Sequence, residues 1–286
     1  MRTQSREPKD WEWDETLYRG SAPYYARGRL PYAPGFANLL ARRLELDGRD
    51  RLLDVGCGPG TVTLLLARFF DQAVGVDPDS EMLAIAARRA RDSGIGNVRW
   101  VRARGVNLPA GLGSFRVATF AQSFHWMDRP RVSAIVFDML RPGGAFVHIS
   151  DVKEPPLSVL TSLSHPQPPT SEIQELLRQY LGPVRRAGQG VLQYGTPGNE
   201  ADILTTAGFD GPTHLRAPAG GALDRSADDV VAWVYSLSSS APHLFSDRLD
   251  DFDAEVRRLL DRASPSGLFS EQPPDTEAFV WRKPLC

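Results

Sequence analysis

The chain has 286 residues, 42% of them hydrophobic and 24% charged, with a formal net charge of −2. That is the composition of a globular core and excludes bulk disorder. The balanced charge also excludes a global cationic field for nucleic acid or anionic lipid. Only three of the 33 basic residues are lysines (Lys9, Lys153 and Lys283), a bias that points to GC-rich bacterial coding rather than to a nucleic-acid surface. The two cysteines, Cys57 and Cys286, fit no metal or disulfide spacing, and a reducing compartment suits them. No apolar run approaches about 18 residues and the first residues hold no secretory-type apolar stretch, so a cytoplasmic protein without a membrane segment is expected.

The segment before Arg51 is rich in aromatic residues and proline (Trp11, Trp13, Tyr18, Tyr24, Tyr25, Tyr32, Phe36). Two readings stand for it: a cap over the mouth of a sheet, or a helix that only packs on the core. Residues 51–55 are an apolar run followed by Gly56-Cys-Gly-Pro-Gly60 and an apolar stretch to Phe70, which reads as strand, glycine loop, helix. That helix carries Val62, Leu64, Leu65, Leu66 and Phe69 nearly all round and is expected to be packed on both sides. A second strand, 72–76, ends at Asp77, and Asp79 or Ser80 caps a helix through Arg91 with Pro78 at its entrance. Residues 98–103 and 116–121 read as the third and fourth strands. Val132, Ile135, Val136, Met139 and Leu140 then fall at helical spacing, so a helix is predicted over about 130–140. Arg141-Pro-Gly-Gly144 stops it, and 145–149 is the fifth strand. Strands alternating with helices imply a parallel sheet covered on both faces.

After Ser150 the pattern loosens. Pro155, Pro156, Pro166, Pro168 and Pro169 mark a loop, and Ser171-Glu-Ile-Gln174 reads as a capping box opening a helix. Further helices are predicted to begin near Asn199, Ser226 and Asp247, and late strands at about 213–216 and 278–282. The expected organisation is one domain over 1–286: an N-terminal cap (1–48), a cofactor-binding core (49–150) and a substrate-side elaboration carrying the last two strands (151–286).

In a parallel sheet a ligand sits outside the carboxyl ends of the strands, where the loop Asp54-Val-Gly56-Cys57-Gly58-Pro-Gly60 falls. Its glycines let a ligand touch backbone that a Cβ would block. Asp77 ends the next strand, where a carboxylate can accept both hydroxyls of a ribose and disfavours a 2′-phosphate, so NADP fits poorly. The spacing is G-x-G-x-G with an acid two positions ahead, not the G-x-G-x-x-G of a pyrophosphate site. An acid at Asp54 repels phosphate and attracts an ammonium group. The predicted cofactor therefore joins an adenosine to a cationic head, as S-adenosyl-L-methionine does.

Leu53–Gly60, Gly75-Val-Asp77, Leu140–Gly144 and Ala121-Gln-Ser-Phe-His-Trp126 together resemble class I S-adenosylmethionine-dependent methyltransferases, and among them small-molecule enzymes of the trans-aconitate methyltransferase type. The resemblance covers roughly residues 50–150. It implies an α/β, Rossmann-like, doubly wound seven-stranded sheet, mostly parallel with an antiparallel last strand, an N-terminal helical cap and an insertion after strand 5. It also implies that Gly56, Gly58 and Gly60 line the methionine moiety, that Cys57 between them belongs to the cofactor site, and that Asp77 holds the ribose. Pro78 and Met82 would flank the adenine, Gly105 and Val106 would also belong to the cofactor site, and Ala121 would lie beneath the transferred methyl. The chain departs from the family at Ala103-Arg-Gly-Val-Asn-Leu-Pro109, where an acidic run is usual: Arg104 cannot accept a hydrogen bond from the adenine amino group. Arg116, where Asp is common, is a second departure.

His125, after the fourth strand and titrating near neutrality, is the candidate general base, with Gln122 orienting substrate or cofactor; the alternative for His125 and Trp126 is packing or gating. Tyr24, Tyr25, Arg27, Trp126 and His243 are candidates on the acceptor side, Arg27 or Arg29 meeting an anionic acceptor, with surface ion pairing as the alternative for both arginines. No metal-ligand pattern, nucleophile elbow or phosphate loop is present. The expected function is methyl transfer to oxygen, nitrogen or carbon of a small organic molecule in bacterial secondary metabolism, by a monomer or homodimer that binds neither nucleic acid nor membrane. The alternatives are a fold that keeps the cofactor for a non-methylating role, and a nucleic-acid or protein methyltransferase.

Overall fold

The computed structural model describes residues 14–108, 111–152, 163–187, 190–191 and 198–285. Trp11, Trp13, Pro109, Pro155, Pro156 and Cys286 lie outside the described residues. Two short helices, α1 (Ala22–Gly28) and α2 (Phe36–Leu44), precede β1 (Arg51–Val55). Then come α3 (Thr61–Leu66) with a 3-10 turn to Phe69, β2 (Gln72–Asp77), α4 (Ser80–Asp92), β3 (Val98–Arg102), β4 (Phe115–Ala121), α5 (Arg129–Met139) and β5 (Leu140–Asp151). The remainder holds α6 (Thr170–Leu181), β6 (Arg186–Ala187), β7 (Gly190–Val191), α7 (Glu200–Thr206), β8 (Asp210–Ala217), β9 (Leu223–Ser226), α8 (Ala227–Tyr235), α9 (Leu249–Ala263), β10 (Leu268–Glu271) and β11 (Thr276–Arg282).

The main sheet has seven strands in the order β3-β2-β1-β4-β5-β11-β8. The pairs among β1 to β5 are parallel, and β11 runs antiparallel between β5 and β8. This is a doubly wound α/β architecture with two antiparallel strands at one edge, both faces covered as the strand–helix alternation requires. One face buries Phe36, Leu40, Val62 and Leu66 from α2 and α3 against Leu52, Val117 and Val147. The other buries Val132, Val136 and Leu204 from α5 and α7 against Leu53, Phe120 and Phe146, with the last two rings stacked at 4.4 Å. A third core joins α6, α8 and α9 through Ile173, Val234, Phe245 and Phe252, outside the sheet.

Local chemistry sets most element ends. Asp79 accepts from the Glu81 and Met82 amides as N-cap of α4, and Ser226 with Asp229 closes a capping box on α8. The box expected at Ser171 does not form: α6 starts one residue earlier, at Thr170, behind Pro169, with no side-chain cap. The expected break at 141–144 is instead the beginning of β5, whose pairing with β4 shifts register between Phe115 and Val117. Arg116 has its explanation here, since it donates to the Gly143 carbonyl and, at 3.3 Å, to that of Leu44, clasping the turn to α2. α1 lies on α8 so closely that a Cβ at Gly28 would stand 2.3 Å from the Ala232 carbonyl oxygen. No helix among the described residues is long and apolar enough to cross a membrane.

Candidate active site

The carboxyl ends of β1, β2, β3 and β4 open into a cavity of ≈ 480 Å³. Its floor is Gly56 and Gly58, one flank is Asp77, Pro78 and Met82, another is Arg104, Gly105 and Val106, and the far wall is Ala121, Gln122, Ser123 and Trp126. Tyr18 and Tyr25 close it from the N-terminal segment, so that segment does cover the mouth of the sheet.

Gly56, Gly58 and Gly60 all adopt positive φ, and the space around each differs. A Cβ at Gly56 would meet Ser123 Cβ at 2.6 Å, and one at Gly60 would meet Trp100 Cη2 at 2.6 Å. At Gly58 a Cβ would meet nothing within 4 Å. Gly58 is thus the position whose missing side chain leaves open cavity, whereas Gly60 makes room for an indole. Gly75 does the same, with Trp100 at 2.5 Å from its would-be Cβ.

Asp77 is set by two backbone donors: Gly58 N–H gives to Oδ2 at 2.8 Å and Asp79 N–H to Oδ1 at 2.9 Å. Each oxygen keeps a further lone pair, and Asp77 lines the cavity. Burial raises its pKa to about 6 against the pull of those two amides. At the end of β4, Gln122 turns with φ of 51°, a left-handed conformation uncommon outside glycine. Its amide donates to the Ile149 carbonyl at 3.1 Å, and Ser123 Oγ donates to that of Val55 at 2.7 Å. The turn after β4 is thereby tied to both neighbouring strands. Trp126 stands edge-on to Tyr18, ring centres 6.0 Å apart, and its buried indole N–H has no acceptor among the described residues.

A family model described as a methyltransferase domain matches residues 52–144. Over that stretch the chain is similar to methyltransferase domains. Trans-aconitate 2-methyltransferase of Mycobacterium ulcerans is 25% identical over 88% of each chain. A probable S-adenosylmethionine-dependent methyltransferase of Saccharomyces cerevisiae is 31% identical over 34% of each. The chain spans between 28% and 53% of the length of several other curated relatives. In fold it is similar to the (4+2)-cyclase SpnF, with a TM-score of 0.55 and 20% identity over 95% of this chain and 96% of that one.

Several residues singled out from the sequence lie off the cavity wall. Asp54 is buried beneath the loop, accepting from Thr63 Oγ1 at 2.5 Å and Thr119 Oγ1 at 2.8 Å. It braces β1 against α3 and β4 and does not face the cavity where an ammonium would lie. Cys57 turns into the core, its sulfur near Gly75 and its pKa raised well above the usual thiol value by burial. Gly60 is withdrawn beneath Trp100, as above. His125 is half-buried in the 3-10 turn Phe124–Trp126, its ring centre 5.0 Å from that of Trp126, and is not part of the wall. Tyr24 packs on Tyr235 at 5.0 Å. Arg27 pairs with Asp229 at 2.5 Å on the surface, the bland alternative. His243 Nδ1 meets the Arg19 carbonyl at 3.0 Å and ties its 3-10 stretch to the N-terminal segment.

The remaining candidates (Gly56, Gly58, Asp77, Pro78, Met82, Gly105, Val106, Ala121, Gln122, Tyr25 and Trp126) converge on one cavity. Sequence reasoning missed Tyr18 and Met127 on its wall and Trp100 beneath its loop. Tyr18 lay in a segment already marked as aromatic; Met127 carried no signal beyond following the motif at 121–126.

Proposed function

We propose that the chain is an S-adenosyl-L-methionine-dependent methyltransferase acting on a small organic acceptor. The observation that carries this reading is Asp77, held by the Gly58 and Asp79 amides at the mouth of β2 with lone pairs left over for a ribose diol. The open cradle at Gly58 and the acceptor-less indole N–H of Trp126 fit a polar ligand in the same space.

On this reading Gly56 and Gly58 admit the amino-acid portion of the cofactor against bare backbone, and Pro78, Met82, Gly105 and Val106 flank its adenine. Arg104 can donate but not accept, so the adenine amino group is met by backbone carbonyls or by stacking. Ala121, with only a methyl side chain, leaves space beneath the transferred group. When bound, the cofactor supplies a methyl already activated on a sulfonium. The chain's task is then to align the acceptor and exclude water. Tyr18, Tyr25 and Trp126 exclude water from the acceptor side. His125 is off the wall and serves as a support for Trp126 rather than as a base in contact with the acceptor.

Incubation with S-adenosylmethionine and separate pools of small metabolites, RNA, DNA and protein tests the acceptor class through S-adenosylhomocysteine formation. The reading expects turnover with the metabolite pool. Turnover confined to a macromolecular pool would contradict it.

A further inference from the structure

One end of the cavity presents hydrogen-bond donors where the amino group of a base would need an acceptor. With Asp77 at the tip of β2 holding the ribose and the glycine loop after β1 holding the amino-acid portion, the purine extends the other way. It runs past β2 towards the tip of β3, the next strand of the sheet. There Arg102, Arg104 and Asn107 line the cavity together with Pro78 and Met82. Arg104 is half-buried and opens the 3-10 turn Gly105–Asn107. A guanidinium carries five N–H donors and no acceptor.

The main-chain oxygens of this wall are already in use. The Asp77 carbonyl takes the Ala103 N–H at 3.2 Å, and that of Pro78 takes Arg102 Nε at 3.1 Å. The Asp79 carbonyl takes the Leu83 N–H at 3.2 Å, and that of Arg104 the Asn107 N–H at 2.9 Å. Among the side chains, Asp79 Oδ1 accepts from two amides of α4, while Glu81 and Asn107 are exposed. A 6-amino group here must share an oxygen that is already bonded, or meet a side chain that water also reaches.

We propose that Arg104 makes the pocket indifferent to the 6-amino group of the cofactor's purine, so that a 6-oxopurine nucleoside is accepted as readily as adenosine. The inference rests on the methyltransferase reading above and specifies how its cofactor is recognised. Adenine carries an acceptor, N7, beside an amino donor; a 6-oxopurine carries two acceptors, N7 and O6, along the same edge. A guanidinium fork can pair twice with the second edge and once with the first, and it can stack on the face of either ring. A polar pocket rejects an analogue by about ten-thousandfold when the missing group leaves a buried partner unpaired. Where the wall holds donors, losing the amino group strands nothing. Recognition then falls on the ribose at Asp77 and on the glycine loop.

The test is calorimetric titration of the whole chain with S-adenosyl-L-homocysteine and with its 6-oxo analogue, S-inosyl-L-homocysteine. In the wild type the two dissociation constants should lie within about fivefold of each other. Arg104→Asp places an acceptor in the wall and should open a preference of about tenfold or more for the adenosyl ligand. Arg104→Ala, which removes the donors and adds no acceptor, should not open one. An adenosyl preference above about fivefold in the wild type overturns the proposal, and this comparison stands even if Arg104→Asp does not fold. An Arg104→Asp variant that binds S-adenosylhomocysteine yet shows no preference overturns it too. Rejection of the inosyl ligand alone leaves the methyltransferase reading intact, whereas failure of the wild type to bind either ligand removes that reading itself.

Discussion

Replacing Asp77 by alanine separates what this carboxylate does for the fold from what it does for a ligand. Its oxygens accept from the Gly58 and Asp79 amides at 2.8 and 2.9 Å, so Asp77→Ala leaves two N–H groups without their partner. Where water cannot replace the acceptor, each costs about 1–3 kcal/mol. Against this, the wild-type carboxyl is held at about 6 rather than 3.8, chiefly by burial. Keeping it ionised at neutral pH costs roughly 3 kcal/mol, which the alanine recovers. The opposing effects are of similar size, and Gly58 N–H borders open cavity where water can reach it. Stability at pH 7 should therefore change by no more than about 2 kcal/mol. Affinity for S-adenosylhomocysteine has no such compensation. It should fall by about 1.5–3 kcal/mol, the range for hydrogen bonds to a charged group, or roughly tenfold to 150-fold. Denaturant unfolding reads the first quantity and calorimetric titration the second. Affinity within twofold of wild type, in a variant that unfolds normally, would refute the ribose assignment.

The glycines of the loop should divide by function. Gly58→Ala, at φ of 52° with open space ahead, should cost only about 1–2 kcal/mol of backbone strain but obstruct cofactor binding. Gly60→Ala, driven into Trp100, should lose several kcal/mol of stability in denaturant unfolding; equal losses in both variants would contradict the division. Burial also lifts the Asp54 carboxyl to about 6, so between about 4 and 6 the folded protein holds protons on Asp54 and Asp77 that the unfolded chain has released. Stability without cofactor should therefore fall as pH rises through that window, by up to a few kcal/mol, and a rising profile there would be the opposite of what is expected. Cofactor affinity should run the other way, dropping about tenfold from pH 7.5 to pH 5 as Asp77 takes up its proton, and the trend should be largely lost in Asp77→Asn. His125→Ala should keep the shape of the pH–rate profile once an acceptor is in hand; loss of a limb near neutrality would restore His125 as a base.

Much of this architecture was legible because periodicity and turn chemistry agreed. Val132, Val136 and Met139 fell at helical spacing and are buried in α5; of Asp79 and Ser80 it is Asp79 that caps α4, and a helix begins at Ser226 as read. The breaks came where long-range pairing outweighed local signals. Arg141-Pro-Gly-Gly144 reads as a stop, yet β4 pairs with Leu140 and Ala145 on either side of it, Lys283 bonds to the backbone of Gly143 and Gly144, and it joins β5. The site was legible as far as main-chain position decides it: Gly58 and Asp77 lie at strand ends whose direction the fold fixes. It was not legible where side-chain direction decides. Asp54 and Gly56 are two residues apart, yet the carboxylate points down into Thr63 and Thr119 while the glycine faces the cavity. His125 and Trp126 are adjacent, and only the indole reaches the wall. Nothing in a single sequence says that Trp100 is the reason for Gly60 and Gly75, because the contact joins β3 to a loop some forty residues earlier.

The central claim is that the cavity at the ends of β1 to β4 holds S-adenosylmethionine. The most direct test is calorimetric titration of the purified protein with S-adenosylmethionine, S-adenosylhomocysteine and NAD in parallel. The account predicts saturable one-to-one binding of the first two and none of the third. Binding of NAD, or of none of the three, would contradict it and leave a methyltransferase-like fold without its cofactor.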